Sequence, residues 1–271
     1  MLAYRNSVGQ STRGLASSRP SVLKKNHAFQ YKRTNLSHQQ QRLHCKATQT
    51  LPIFPLSLVA LPSSTVPLVI FEARYRVLFN TLLAGEPGVE EGLVQKDSAI
   101  CGTKKFGMCF MDREGRLASI GTLLEIQDFA HMQDGRIFVT TMGKERFEIK
   151  KVTKEKPVLL CEVEFMNEEE DAEEANSEKA KELAKEVADL MRATIRLNVK
   201  MKNISASEDQ LEPEGLAELS PKPLSFFVAS FFSDVRVLQQ NLLEETSTLE
   251  RLKVERDILS DTVRYFSATL V

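Results

Sequence analysis

The chain has 271 residues and a net charge of only −1, but its charges are divided unevenly along the sequence. Residues 1–49 contain nine basic and no acidic side chains, which leaves 27 basic and 37 acidic residues, a net charge of −10, for the remainder. Nucleic-acid binding depends chiefly on neutralising phosphates with basic side chains. The acidic remainder has no tryptophan and no basic stripe interleaved with aromatic residues, which argues against an RNA-binding protein.

The basic segment at residues 1–46 has the composition of a transit peptide. It is rich in Ser and Arg, lacks acids and contains no apolar stretch long enough for a secretory signal. The junction at Cys45-Lys46-Ala47 resembles those of plant stromal transit peptides, so we expect import into the chloroplast stroma, with the mitochondrion as the alternative. A disordered basic tail that binds nucleic acid is the competing interpretation.

Residues 51–71 contain no charged side chain, yet they are not predicted to span a membrane. Four prolines interrupt the segment: Pro52, Pro55, Pro62 and Pro67. Proline removes a backbone donor and breaks a helix, so a clean spanning helix of roughly 20 residues cannot form. The segment is predicted instead to form short buried strands joined by turns, in a mature protein without a membrane span.

The region from Leu51 to Met166 is predicted to contain about six β-strands, because short apolar runs alternate with turn residues. Asp134-Gly135 is a hairpin signal, since glycine reaches the positive φ of a tight turn. One helix is predicted inside this region, over residues 72–84, where an apolar stripe at helical spacing ends at Gly85.

The second half of the chain is predicted to be helical. An acidic run suggests a solvent-exposed linker at residues 167–177. Beyond it, the apolar period changes from 2 to 3.6 and predicts a bundle of three amphipathic helices at residues 178–268. The second of these follows Pro223 and extends to Leu242, and the third begins at a capping box, Ser247-Thr248-Leu249-Glu250.

No motif in the sequence indicates catalysis or a cofactor. There is no P-loop, no G-x-S-x-G and no H-E-x-x-H. His131 has no partner residues at motif spacing, so it is expected to be a surface residue. The three cysteines beyond Cys45 lack C-x-x-C spacing, which argues against zinc or a redox pair, and their odd number argues against a disulfide framework. We therefore predict no catalytic residue, no cofactor and no metal site.

Five motifs resemble, in their order, the N-terminal substrate-recognition domain of Lon proteases. Residues 51–56 read Leu-Pro-Ile-Phe-Pro-Leu and residues 67–76 read Pro-Leu-Val-Ile-Phe-Glu-Ala-Arg-Tyr-Arg. Three elements follow: Gly121 with Ile126, Asp134-Gly135-Arg136, and Gly143 with Arg146 and Phe147. The signature residues of this resemblance are Pro52, Phe54, Pro55, Pro67, Phe71, Glu72, Arg74, Tyr75, Arg76, Gly121, Asp134, Gly135, Arg136, Gly143, Arg146 and Phe147.

The signature residues are interpreted as structural rather than as a binding site. The prolines fix an extended first strand, and three apolar residues are core candidates: Phe54, Ile70 and Phe71. Glu72 is expected to lock the helix to the barrel by pairing with one of three arginines: Arg74, Arg76 or Arg146. Lon proteins often have Phe-Pro-Gly where this chain has Leu61-Pro62-Ser63-Ser64, so one turn is expected to differ.

The resemblance implies an α+β fold, with a PUA-like β pseudo-barrel at residues 50–166 followed by the helical bundle. It implies a non-catalytic, protein-binding module of the substrate-recognition type, because no ATPase or Ser–Lys peptidase domain occurs before Val271. Such a module would act as an adaptor in plastid protein quality control and bind polypeptide substrates, a protease or a chaperone.

Two other functions remain open at this point. The chain could be a scaffold or assembly protein that acts through its helical bundle. Four phenylalanines would then form an oligomer face, although the same residues fit a bundle core: Phe226, Phe227, Phe231 and Phe232. An independent peptidase is the third hypothesis, and no motif favours it.

Overall fold

The computed structural model describes residues 48–167, 171–204, 207 and 211–270. The predicted transit peptide and residues 168–170 of the acidic run lie outside the described residues. The described chain consists of six strands with one helix among them, followed by a helical region. The predicted α+β class and the predicted order of its two halves are therefore confirmed.

Six strands form one sheet that closes into a small barrel. They are β1 Gln49–Leu56, β2 Thr65–Ile70, β3 Lys105–Phe110, β4 Ile120–His131, β5 Ile137–Lys154 and β6 Leu159–Phe165. The order is β2-β5-β4-β3-β1-β6, and β6 also pairs with β5. Only β1 and β3 are parallel neighbours. Because β5 pairs with β4, β6 and β2, five strands complete the ring and β2 lies on its edge.

Strand β5 changes its partner at Gly143. Residues 137–142 pair with β2, whereas residues 147–154 pair with β6. A Cβ atom on Gly143 would lie 2.1 Å from the carbonyl oxygen of Leu61. No side chain fits at that distance, so glycine allows the Leu61 turn to approach the strand closely.

The turn that departs from the Lon pattern forms without a glycine. Ser63 takes a left-handed φ of 60°, a conformation that costs a non-glycine residue about 1 kcal/mol. Two hydrogen bonds join the turn to Gly143: Ser63 N donates to Gly143 O, and Gly143 N donates to Ser64 O, each at 2.9 Å. The hydroxyl of Ser64 also donates to Leu61 O at 2.6 Å. These bonds offset the unfavourable backbone of Ser63.

The helix within the barrel region, α1 Ala73–Leu82, falls inside the predicted range 72–84. It is held to the strands by an aromatic cluster. The rings of Tyr75 and Phe54 meet edge to face with centroids 4.4 Å apart. Phe79 of α1 lies 5.0 Å from Phe106 of β3 in the same geometry. Edge-to-face pairs add about 1 kcal/mol each beyond their buried area, so this cluster fixes α1 on the sheet.

The helical region contains α2 Ala172–Ala175, α3 Glu178–Met201, α4 Pro221–Ser230, α5 Arg236–Glu244 and α6 Thr248–Thr269. The predicted apolar face of α3 is buried at Ala180, Leu183, Ala184, Val187 and Met191. It packs against the buried leucines of α6, Leu249, Leu252 and Leu259. No helix of the described chain is both long and apolar enough to cross a bilayer.

The prediction of one helix from Pro223 to Leu242 is wrong, because the chain breaks between α4 and α5. The amide of Phe231 donates to Val228 O, three residues back, and so tightens the last turn of α4. The side chain of Gln239 then caps that end by donating to Ala229 O at 3.0 Å. The break lets two short helices turn their apolar residues toward the barrel.

The bundle is joined to the barrel through a shared apolar cluster. Leu61 from the barrel packs with Phe226 of α4 and Leu243 of α5, and all three are buried. Gln240 adds a hydrogen bond from its amide to Ile120 O of β4 at 3.0 Å. These contacts position the helices against the strands.

Candidate functional site

A groove of about 870 Å³ lies at one end of the barrel, beside α1. Its walls come from α1, the loop at residues 95–103, the start of β1 and the hairpin between β5 and β6. The loop is anchored to the end of α1, because Gln95 N donates to Thr81 Oγ1 at 3.1 Å and Gly102 N donates to Thr81 O at 2.9 Å. The groove is therefore part of the folded scaffold.

The floor of the groove is apolar and continuous with the core. Leu51 and Leu78 are buried, and four further residues are half-buried: Val77, Ile100, Val158 and Leu160. Ile100 and Val158 also pack against the aromatic cluster that holds α1. A ligand that covered this floor would remove apolar surface from water, worth about 25 cal/mol per Å².

Three cations line the groove: Arg74, Lys105 and Lys154. No acidic residue of the described chain lines it. Arg74 donates from Nε to Glu72 at 2.8 Å and lies over the ring of Tyr75, 4.5 Å from its centroid. Burial raises the pKa of Tyr75, and the smaller effects of Arg74, which lowers it, and Glu72, which raises it, leave the phenol neutral.

The described lining of the groove offers mainly binding surface. Among the described residues it contains no histidine, cysteine or carboxylate, so none of them supplies a base beside the hydroxyl groups. Across the described residues, no group of three or more His, Cys, Asp or Glu is arranged to hold a metal ion. Cys109 and Cys161 are buried in the barrel, and burial raises the pKa of both thiols.

Of the sixteen signature residues, only Arg74 lines the groove. The aromatic members Phe54, Tyr75 and Phe147 are buried. Phe147 needs a small neighbour, because a Cβ on Gly121 would lie 2.9 Å from its ring. Of the prolines, Pro52 is buried in β1, Pro55 is half-buried and Pro67 is exposed on β2.

The hairpin signature lies against α1. Gly135 has a φ of 80° in the turn between β4 and β5, as predicted, and a Cβ atom added there would lie 2.9 Å from the guanidinium of Arg76. Asp134 accepts from Arg136 Nε at 2.7 Å. The hydrogen bonds from Arg136 lower the pKa of the Asp134 carboxyl. These bonds shape the turn and do not reach the groove.

The expected ion pair between helix and barrel takes a different form. Glu72 pairs with Arg74, two residues away, and both side chains are about half exposed. Arg76 pairs with Glu90 at 3.1 Å, and His131 lies 3.8 Å from the same carboxylate with its side chain only 20% exposed. The prediction of His131 as a surface residue is therefore only partly correct.

Arg146 belongs to the junction with the bundle. It is 2% exposed and donates from Nη1 to Leu243 O at 2.8 Å and to Glu245 O at 2.7 Å. Its guanidinium also lies 5.2 Å from the ring centroid of Phe226. Of the three arginines proposed as partners of Glu72, Arg146 is therefore excluded.

The prediction that Phe71 lies in the core is wrong, whereas Phe54 and Ile70 are buried. Phe71 follows the last residue of β2 and is 68% exposed. It continues the exposed side of this edge strand, where Val69 is paired in register with the exposed Phe138 of β5. The alternation of β2 therefore carries Val69 and Phe71 outward, beside the exposed Phe138 of β5.

The four bundle phenylalanines divide between core and surface. Phe226 is buried, Phe227 and Phe232 are half-buried, and Phe231 is 48% exposed. Phe227 and Phe231 have ring centroids 5.2 Å apart. Most of this cluster closes the bundle, and Phe231 extends it to the surface.

A buried polar network in the bundle was missed by sequence reasoning. Arg251 is fully buried and donates to Ser225 Oγ at 3.0 Å, Thr248 Oγ1 at 2.7 Å and Glu245 O at 2.6 Å. Asp171, which was assigned to an exposed linker, is 7% exposed and accepts from Thr248 N at 3.0 Å. The partners are up to 77 residues apart, so no local pattern could reveal them.

The chain was compared with known families and structures. A family model described as the ATP-dependent protease La (LON) substrate-binding domain matches residues 50–261. The Lon N-terminal domain protein from Xanthomonas campestris is 22% identical, with a TM-score of 0.51 and coverage of 76% of this chain and 95% of that one. The N-terminal domain of Mycobacterium avium complex Lon protease is 20% identical, with a TM-score of 0.53 and coverage of 79% and 99%. At these identities the structural likeness concerns the fold, but the family match spans most of the chain, and the protein belongs to the Lon substrate-binding domain family.

Proposed function

We propose that this protein is a non-catalytic module that binds polypeptides. The observation that supports the proposal is an apolar groove of about 870 Å³ in a member of a substrate-binding family, whose described lining residues include no acid, thiol or imidazole. Its volume is within the range of roughly 300–1,000 Å³ that binding sites offer to apolar ligands. It accommodates a few apolar side chains of an unfolded segment.

Binding of a permanently unfolded polypeptide tests the proposal. Ala99 lines the groove and is exposed, so Ala99→Asp introduces a charge at the binding surface without touching the core. Ala268→Asp, on the exposed end of α6, is the matched control. With fluorescently labelled, reduced and carboxymethylated α-lactalbumin, we expect Ala99→Asp to weaken binding about tenfold, because its carboxylate loses water when an apolar segment covers the groove. Equal anisotropy titrations for the two variants would refute the assignment of the groove.

The absence of catalysis is tested on the same full-length protein. Casein incubated with it, with and without ATP, is expected to remain intact on a denaturing gel. Active Lon protease serves as the positive control, and a preparation carried through purification from cells without the gene excludes contaminants. Cleavage that followed the protein through a further chromatographic step would refute the proposal.

We assign the module, as part of the same proposal, to plastid protein quality control as an adaptor. The support is the composition of residues 1–46, which are basic and free of acids. Proximity labelling with the full chain fused at its C-terminus is expected to recover stromal proteases, chaperones or their clients. Recovery of mitochondrial proteins instead would exclude the plastid location.

A scaffold role through the bundle is the second candidate. It is favoured by three exposed apolar residues at and beside the turn between α4 and α5, Phe231, Val235 and Val237, which are 48%, 55% and 64% exposed. Exposed apolar clusters of this kind mark protein contacts. If the scaffold role holds, light scattering shows an oligomer that Val237→Asp dissociates, whereas a monomer argues for the groove alone.

A further inference from the structure

The cations along the groove contrast with the charge of the surrounding protein. The chain beyond residue 49 has ten more acidic than basic side chains. The described lining of the groove nevertheless contains three cations and no acid: Arg74, Lys105 and Lys154. Because a cleft lined by one sign of charge concentrates its field, this groove attracts anionic groups.

Two of the cations form no ion pair with a carboxylate of the described chain. Lys105 lies opposite Glu125 in the register of β3 and β4, but Glu125 pairs with Lys144 at 3.1 Å. That hydrogen bond, with the nearby positive charges, lowers the pKa of Glu125. Among the described residues, neither Lys105 nor Lys154 forms an ion pair. Both ammonium groups can therefore bind a partner from outside.

The hairpin between β5 and β6 brings one cation, Lys154, to the groove, whereas its Lys150 pairs with Glu148 and Glu164. Residues 150–157 read Lys-Lys-Val-Thr-Lys-Glu-Lys-Pro, with four lysines and one glutamate. The register of the two strands shifts between residues 149 and 151 and again between 152 and 154. Such irregularities bend a strand and redirect its side chains. Here the hairpin brings both Lys154 and Pro157 to the groove.

Resting on the proposed function, we infer that the groove selects extended polypeptide segments in which a short apolar run is flanked by aspartate or glutamate. The apolar side chains cover the floor formed by Val77, Ile100 and Leu160, and the flanking carboxylates meet Lys105 and Lys154. Nucleic acid matches the groove less well, because no aromatic side chain is among its described lining residues for base stacking.

Three labelled peptides with the same central Leu-Ile-Phe-Leu run test this selection. They carry aspartates, lysines or serines on both sides of the run. The variant Lys105→Ala/Lys154→Ala removes the two unpaired cations, and Lys179→Ala/Lys202→Ala makes the same change of net charge on exposed residues of the bundle. Affinities are measured by fluorescence anisotropy on the full-length protein at low and at moderate salt.

The wild-type protein is expected to bind the aspartate peptide about three- to tenfold more tightly than the serine peptide, and the lysine peptide most weakly, since exposed ion pairs each contribute modestly. The groove variant should lose this preference and keep its affinity for the serine peptide, whereas the bundle variant should keep both. Salt should reduce the preference, because it screens exposed charges.

The outcomes separate this inference from the function on which it rests. If the serine and aspartate peptides bind equally, the selection is refuted while polypeptide binding stands. If neither peptide nor unfolded protein binds, the proposed function fails as well. If a single-stranded oligonucleotide of equal charge displaces the aspartate peptide, the cations belong to a nucleic-acid site and the inference is overturned.

Discussion

Replacing Glu255 by glutamine is expected to change how the free energy of unfolding depends on pH. Glu255 lies on the buried face of α6 and is 0% exposed, and neither of its carboxylate oxygens has a hydrogen-bond partner among the described residues. Burial raises the pKa of this carboxyl well above its ordinary value of 4.5, and the opposing effect of Arg251 is smaller. The folded protein therefore keeps this carboxyl protonated where the unfolded chain ionises it.

The sign and size of the effect follow from that difference. Since the folded state binds the extra proton, Glu255 destabilises the fold increasingly as pH rises from 4.5 toward its folded pKa. Each pH unit in this window lowers the free energy of unfolding by about 1.4 kcal/mol. Glutamine has a similar shape and does not titrate, so the variant should be more stable at neutral pH by on the order of 1–3 kcal/mol.

Urea unfolding followed by circular dichroism at a series of pH values measures this effect. The gap between Glu255→Gln and the wild type should be near zero at pH 4.5 and widen as pH rises. Glu182→Gln, the same substitution at an exposed position of α3, is the control and should show no such widening. A constant gap at every pH, or a gap that narrows toward neutral pH, would refute the buried, protonated carboxyl.

Three further predictions concern the barrel. Arg146→Met should lower the free energy of unfolding, measured in urea, by about 3 kcal/mol, because the buried carbonyl of Leu243 loses this donor and that of Glu245 keeps only Arg251. Gly143→Ala should lower the free energy of unfolding in urea by more than about 3 kcal/mol, because the new Cβ meets a backbone oxygen. Gly92→Ala, which has open space around it, should change that free energy by no more than about 0.5 kcal/mol. Equal losses of stability in the two variants would contradict the close packing at Gly143. In native protein at pH 8, iodoacetamide should label the half-buried Cys101 before the buried Cys109, because burial raises the pKa of the Cys109 thiol. Mass spectrometry of the peptides measures the order of labelling. Labelling of Cys109 before Cys101 would contradict a closed barrel.

Local signals predicted the elements whose causes are themselves local. The apolar stripe of α1 and the Asp134-Gly135 turn correspond to observed structure. The capping box at Ser247 is half correct. Ser247 Oγ accepts from Glu250 N at 3.1 Å, but the Ser247 amide donates to Glu245 rather than to Glu250. The sequence pattern identified the helix start and could not choose between two nearby carboxylates.

Predictions failed where a distant contact overrides the local pattern. Phe71 ends an apolar run that reads as buried, yet β2 is an edge strand and nothing in the described chain covers that residue. The apolar period from Pro223 to Leu242 is continuous, but packing on the barrel at Leu61 favours two shorter helices. Propensity and periodicity are weak compared with such tertiary contacts.

The candidate site could be predicted from the sequence only in part. The Lon-like motifs indicated the family, but they mark packing positions, and of these only Arg74 reaches the groove. The remaining lining comes from α1, a loop, two strands and a hairpin that are separated along the chain. No spacing rule connects such segments, because their proximity depends on closure of the barrel.

The sequence by itself determined the class of fold, the order of strands and helices, and the family, since periodicity, turn residues and motifs are all written in neighbouring positions. The tertiary structure alone decided which apolar residues are exposed, which charges are buried and where the groove lies. Arg146 and Arg251 illustrate the reason: their burial is compensated by carbonyls and hydroxyls from other segments, up to 99 residues away for Arg146. Such partners are brought together only when the barrel closes and the bundle packs on it.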